Sequence, residues 1–153
     1  MVWSLSSSAF REGAQIPSQY TCEGADSSPP LSWTDPPAGT KSLALILDDP
    51  DAPMGTWVHW VAYNLPANLR ALPEHVPTDA KLADATLQGL NDFGRTGYGG
   101  PCPPPGSSHR YVFKLYALDA PLTLAPRATK AQLEQEINHH RLAQAQLIGR
   151  YQR

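Results

Sequence analysis

In LILDDPDAPMGTWVHW, residues 45–60, three aspartates stand around a proline directly after an apolar run, and a histidine follows between two tryptophans. Carboxylates are costly in apolar surroundings unless each finds a partner. Asp48, Asp49 and Asp51 therefore need donors, and His59 can supply one. A second histidine, His109, opens HRYVFKLYALD, with Tyr111 two residues on. Imidazole N–H and phenol O–H groups donate to anionic oxygens. The glycine-proline turn Gly99-Gly100-Pro101 can bring backbone N–H groups close to an anion. An ionised carboxylate does not bind an anion itself. The role that fits Asp49 is to hold a histidine in one tautomer and favour its charged form. This chemistry describes a small anion pocket rather than a nucleophile.

Other readings of the same residues stand beside this one. Asp48 and Asp51 fit turn positions whose side chains bond nearby backbone N–H groups. His59 alone would read as a core histidine. Two histidines and a carboxylate also suit a metal, but compact His-x-His or Cys-x-x-Cys spacing is missing. A hydrolase would draw its nucleophile from Ser107, Ser108, Cys22 or Cys102, without a Gly-x-Ser-x-Gly elbow. The expectation is a binding module without metal or cofactor. A hydrolase or a metal-dependent enzyme using the same pocket is the alternative.

The elements that must position these residues are mainly strands. SLALILD alternates Leu43, Leu45 and Leu47 with Ala44 and Ile46, apolar on both faces, as in a central strand. In TWVHWVAYNL the two-residue period puts Trp57, His59, Val61 and Tyr63 on one face and Val58, Trp60 and Ala62 on the other. RYVFKLYALD places His109, Tyr111, Phe113 and Leu115 together, with Arg110, Val112, Lys114 and Tyr116 opposite, so Arg110 falls outside the pocket. Tyr63, Phe113 and Tyr116 read as core.

Residues 1–16 suggest an edge strand, Leu31–Trp33 a short strand, and 65–77 a loop. Residues 85–109 start strand-like and become a long Gly/Pro loop. Residues 128–153 are the one helical stretch, with Thr129 and Gln132 as a capping box, Leu133, Glu136, Ile137 and His140 at helical spacing, and a return to strand at QLIGRYQR. His139 and His140 read as a solvated face, and His75 as a loop residue. The expected architecture is one mainly β domain over residues 1–153, a sandwich of antiparallel sheets with a short helical segment near the C-terminus.

Composition narrows the function classes. A chain of 153 residues supports a real core, and a net charge of −2 without basic runs argues against nucleic acid. Its 16 prolines, about twice the usual ~5%, sit between apolar runs and mark structured turns. No stretch reaches the ~18 apolar residues of a membrane span, so integral membrane contact is not expected. MVWSLSSSAFREGAQIP lacks a basic segment followed by an apolar one, which suggests a cytoplasmic protein. In a reducing cytosol Cys22 and Cys102 are not expected to hold a persistent bridge, although sequence does not give their separation.

Three blocks together carry a resemblance. LDDPDAP (47–53), WVHWVAYNLPA (57–67) and GYGGPCPPPGSSHRYVFKLYALD (97–119) resemble the motifs of the phosphatidylethanolamine-binding protein family, in the same order. SQYTCEGADSSPPLSW and RLAQAQLIGRYQR extend the likeness to its bacterial and archaeal Raf-kinase-inhibitor-like branch. The resemblance implies a β-sandwich, a bacterial cytoplasmic setting, and a pocket for phosphorylated or other anionic ligands, such as phospholipid head groups or phosphorylated residues. By motif position the pocket would use Asp49, His59, His109 and Tyr111, with Asp51, Gly100 and Pro101 shaping its rim. It leaves room for a protein partner, docked through residues 93–108, and for a homodimer. Eukaryotic members often have two adjacent histidines where this chain has Val58-His59, so their regulatory roles transfer poorly.

Overall fold

The structure, a computed structural model, describes residues 3–153; residues 1 and 2 of the expected N-terminal strand lie outside the described residues. Two antiparallel sheets face one another. The smaller is ordered β1-β2-β5, from β1 (Leu5–Ser6), β2 (Leu31–Trp33) and β5 (Ala71–Leu72). The larger is ordered β6-β4-β3-β7-β8, from β3 (Ser42–Asp49), β4 (Trp57–Pro66), β6 (Leu87–Gln88), β7 (Ser108–Leu118) and β8 (Arg141–Gln152). Helix α1 (Lys130–His140) packs on the outer face of the larger sheet.

The alternation of β3 decides this layering. Leu43, Leu45 and Leu47 point between the sheets, where they meet Leu31, Trp33, Phe113 and Leu147. Ala44 and Ile46 point the other way, into a second cluster with Tyr116, Leu133 and Ile137. A strand apolar on both faces is thus covered on both, by the opposing sheet and by α1 with the segment before it. Tyr63, Phe113 and Tyr116 are buried as expected.

Three local readings change. The segment expected as a loop over 65–77 contains β5, which pairs with β2 over two residues, too short to leave a periodic signal. The helix is shorter than residues 128–153 suggest. It starts at the expected Thr129–Gln132 capping box and ends at His140, and β8 begins at once with Arg141. RLAQA has good helix formers, but it also alternates. Ala145 and Leu147 go to the core while β8 pairs with β7 along its whole length, so tertiary pairing overrides propensity.

The third change concerns Asp48, expected in a turn. It lies within β3, is buried, and its Oδ2 accepts from Lys130 Nζ at 2.7 Å and Lys114 Nζ at 3.2 Å. One carboxylate thus ties β3 to β7 and to α1. Both lysines are partly exposed and can return to water if it is removed. Asp48→Ala is therefore expected to cost about 1.5–3 kcal/mol, the range for a charge-assisted hydrogen bond, measured by urea denaturation. In a chain lacking both lysines the same change should cost little; an equal loss there would assign the effect to packing.

The cysteines also depart from expectation. Cys22 and Cys102, 80 residues apart, form a disulfide with their Cα atoms 5.4 Å apart. The Cys22 N–H donates to the Pro101 carbonyl next to the bridge, at 3.1 Å. Sequence alone does not show that two Gly/Pro-rich loops so far apart meet. Thiol titration of unreduced, denatured protein should find no free thiol; two would contradict the bridge.

Candidate functional site

The site forms where β3, β4 and β7 end side by side. β3 delivers Asp49 at its last position, and Asp48 pairs directly with Val112 of β7. Asp49 Oδ2 lies 2.6 Å from His109 Nδ1, and its Oδ1 accepts the Asp51 N–H at 2.8 Å. Both oxygens of this buried carboxylate are occupied. It is therefore Asp49, rather than Asp51, that makes the turn bond after β3. Because the Nδ1–H donates to the carboxylate, Nε2 is the nitrogen His109 has left over.

His59 reaches the site through an irregularity. Asp48 pairs with Val58, but Leu47 pairs with Trp60, so β4 carries one extra residue, His59, in a β-bulge. The even two-residue phase expected for β4 breaks here. His59 stacks edge-on against Tyr111, and Trp60 packs on Tyr98, on the side facing the smaller sheet. Val61 and Tyr63 move to the α1 side. The expected grouping of His59 with Val61 and Tyr63 fails because of this single inserted residue. His59 Nδ1 lies 2.7 Å from the Gly99 carbonyl oxygen, which as a pure acceptor fixes a proton on Nδ1. Burial pulls the His59 pKa below its ordinary 6.5, against smaller raising effects of the Gly99 carbonyl and Asp49.

Tyr111 completes the group. It stacks on His109 with ring centroids 6.5 Å apart, and its buried hydroxyl has no hydrogen-bond partner. Burial, and then the Asp49 carboxylate, push this phenol well above its ordinary 10, so it keeps its proton. Asp49, His59, His109 and Tyr111 all line one cavity of about 240 Å³. The rest of its wall is Ala52, Pro53 and Met54 from the loop after β3, Trp57, Phe93, and Cys102, Pro103 and Pro104. No lysine or arginine lines it.

The remaining expected site residues, Asp51, Gly100 and Pro101, are outside the lining. Gly100 and Pro101 do not line the cavity. The Gly100 N–H donates to Asp26 Oδ1 at 2.8 Å and so does not point at a ligand. A Cβ on Gly100 would lie 2.4 Å from both that oxygen and the Tyr20 carbonyl, which explains the glycine by close approach. Asp51 also stays outside: its carboxylate accepts from the Arg110 guanidinium at 2.8 and 2.9 Å and from the Arg110 N–H at 2.9 Å. Of His139 and His140, expected as a solvated face, His140 bonds Asp119 at 2.8 Å and half-buries itself against it.

Phe93 and Met54 were not legible as site residues. Phe93 comes from a loop with no periodicity, and Met54 is almost fully exposed. Trp57 shares the strand face of His59 in the sequence, and the proline run at 103–105 adjoins Cys102, so these carried a usable signal.

A two-sheet β-sandwich with a small histidine-tyrosine cavity at one strand end is the class that this geometry defines. The family model for phosphatidylethanolamine-binding protein matches residues 6–152, and the chain belongs to that family. Membership implies a ligand-binding module. A UPF0098 protein of Methanothermobacter thermautotrophicus is 51% identical over 149 residues, covering 97% of this chain and 98% of the relative. One from Aquifex aeolicus is 50% identical over 149 residues, covering 96% and 86%. Among solved structures, the phosphatidylethanolamine-binding protein homolog CT736 of Chlamydia trachomatis superposes with a TM-score of 0.91 at 41% identity, covering 99% of this chain and 98% of that one. E. coli YbcL, described as a new member of the mammalian family, gives 0.92 at 35% identity, with the same coverage.

The Asp51–Arg110 pair gives a direct check on the loop after β3. The Arg110 hydrogen bonds hold the Asp51 carboxyl at about 2, below its ordinary 3.8. A depressed acid stabilises the fold above its unfolded pKa, and this contribution is lost as pH falls from about 3.8 to about 2. In Arg110→Ala, NMR titration should show Asp51 moving back towards 3.8. An unmoved Asp51 would exclude the guanidinium as the cause.

Proposed function

We propose that this chain is a non-enzymatic binding module whose cavity takes a small oxyanion, a phosphorylated group above all. One observation carries the reading: His59, His109 and Tyr111 converge on one cavity, and each imidazole has its Nδ1 engaged within the protein, which leaves Nε2 for a ligand. A cavity of about 240 Å³ suits a phosphate with a small substituent. The apolar wall of Trp57, Phe93 and Pro103 would take the substituent.

The enzyme alternatives find less support. No serine lines the cavity, and its one cysteine is tied up in the disulfide. Asp49 has both oxygens engaged before any metal arrives. As to compartment, no helix among the described residues is long and apolar enough to cross a membrane. The bridge between Cys22 and Cys102 is of a kind that persists in oxidising settings and weighs against the cytoplasmic expectation.

Calorimetry with phosphate, phosphotyrosine and phosphoethanolamine is expected to detect binding. Tyr111→Phe and His109→Ala should each weaken it about ten- to a hundredfold, the equivalent of about 1.5–3 kcal/mol for a hydrogen bond to a charged group. Asp49→Asn should weaken it in the same direction, through the orientation of His109. Parent-like affinity in Tyr111→Phe and His109→Ala would reject the pocket. Turnover of a phosphoester, with one metal ion per chain by elemental analysis, would replace the module with an enzyme.

A further inference from the structure

A second cavity, of about 420 Å³, is lined by residues 69–73 around β5 and by the segment 76–84. It shares no lining residue with the histidine-tyrosine cavity. Its walls continue the core. Leu72 and Val76 are buried in the cluster between the sheets, and Leu69 and Leu82 pack against that cluster.

The outer wall has no regular structure, yet it is fixed from end to end. Four successive carbonyls each accept a hydrogen bond. Pro77 and Asp79 accept from Gln88 Nε2 at 2.7 and 2.9 Å, Thr78 from Thr96 Oγ1 at 2.7 Å, and Ala80 from the Gln88 N–H at 2.8 Å. Gln88 is itself 1% exposed, and its Oε1 accepts from Trp60 Nε1 at 2.7 Å. At one end the Val76 N–H donates to Ser28 Oγ at 2.9 Å, and at the other the Leu82 N–H donates to the Thr86 carbonyl at 2.8 Å. The cavity therefore exists before any ligand arrives. Eight of its ten lining residues are apolar, which together with its volume matches the usual small-molecule site of roughly 300–1,000 Å³ with a few polar groups.

Those polar groups have one sign. They are Asp79 and Asp84, and no lysine, arginine or histidine lines the cavity with them. Asp84 Oδ1 accepts the Thr86 N–H at 3.0 Å, which leaves Oδ2. The Asp79 carboxylate has no ion pair and no hydrogen bond among the described residues. Apolar burial supplies affinity without choosing a head group. Two carboxylates do choose: they attract a cation and repel an anion.

We propose that this cavity is a second ligand site, independent of the oxyanion reading, and that it takes a small amphipathic amine. The apolar body lies against Leu72, Val76 and Leu82, and the ammonium group meets Asp79 and Asp84.

The test keeps the apolar body constant. Phenylbutylamine, phenylbutanol and phenylbutyrate differ in charge alone, and amide NMR titration at low salt reads both affinity and place. The amine is expected to move amides within 69–84 and to bind about three- to tenfold more tightly than the alcohol, the gain that two exposed ion pairs provide. The acid should bind most weakly. Equal affinity for the three would overturn the proposal, and so would shifts confined to residues around Phe93 and His109, or no shifts at all. Raising salt from about 0.01 M to about 1 M shortens screening from about 30 Å to about 3 Å. It should erase the advantage of the amine without weakening the alcohol; an advantage that survives would rule out the carboxylates as its cause.

Asp79→Asn combined with Asp84→Asn should bring the amine down to the affinity of the alcohol. Ala71→Phe, at an exposed strand position that accepts an aromatic residue, should fill the cavity and abolish binding of both. Undiminished binding in that folded variant would put the ligand elsewhere and sink the proposal. Phosphate binding should be unchanged in all these variants, so failure at one site leaves the other standing.

Discussion

The hydrogen bond between Asp49 and His109 is the constraint on which the site depends. At 2.6 Å and almost completely buried, it joins the last residue of β3 to the second residue of β7. A carboxylate at such a place is affordable only if its oxygens are matched. One is matched by His109, the other by the Asp51 N–H, which starts the turn that carries Ala52, Pro53 and Met54 over the cavity. The same carboxylate therefore fixes the tautomer of the histidine and the course of the loop above it. Tyr111, two residues further along β7, is aligned by the strand period and stacks on His109 without a partner of its own.

The wall opposite is held by backbone more than by side chains. The Gly99 carbonyl faces His59, the Gly100 N–H goes to Asp26, and the Pro101 carbonyl accepts from Cys22. Three successive residues are thus tied down, and the Gly99 N–H donates in addition to the His59 carbonyl at 2.9 Å. The Tyr98 hydroxyl adds another to the Tyr20 carbonyl at 2.6 Å, and the disulfide follows at Cys102. This density of links explains how a Gly/Pro-rich segment without regular structure can form a defined side of a pocket. It also explains how Gly100 and Pro101 fix the course of the segment leading to Cys102 without touching the cavity interior.

Legibility in the sequence followed periodicity. β3 and β7 alternate cleanly, and the faces assigned to Leu43, Leu45, Phe113 and Tyr116 are the observed ones. The four residues that line the cavity floor could be named because they sit in motifs that resemble a family. Where the period breaks, sequence reading fails. The bulge at His59 flips Val61 and Tyr63 to the other face, and no residue type announces it. The β8 start at Arg141 was hidden by residues that also suit a helix. The disulfide, and the Asp48 contact with Lys130 across 82 positions, depend on chain returns that local pattern does not encode.

The opening cluster of aspartates resolves into three different electrostatic solutions. Neighbours in a strand point to opposite faces, so Asp48 and Asp49 are separated by the sheet itself. Asp48 faces α1 and meets two lysines, whose charge is permanent near neutral pH. Asp51, beyond the strand, meets an arginine, which is never neutral. Only Asp49 is paired with a histidine, and only Asp49 faces the cavity. With no lysine or arginine in the lining, the sign of the pocket rests on one imidazole. With His109 neutral, the Asp49 charge stands uncompensated and repels an anion; with His109 protonated, the pair is neutral and Nε2 becomes a donor.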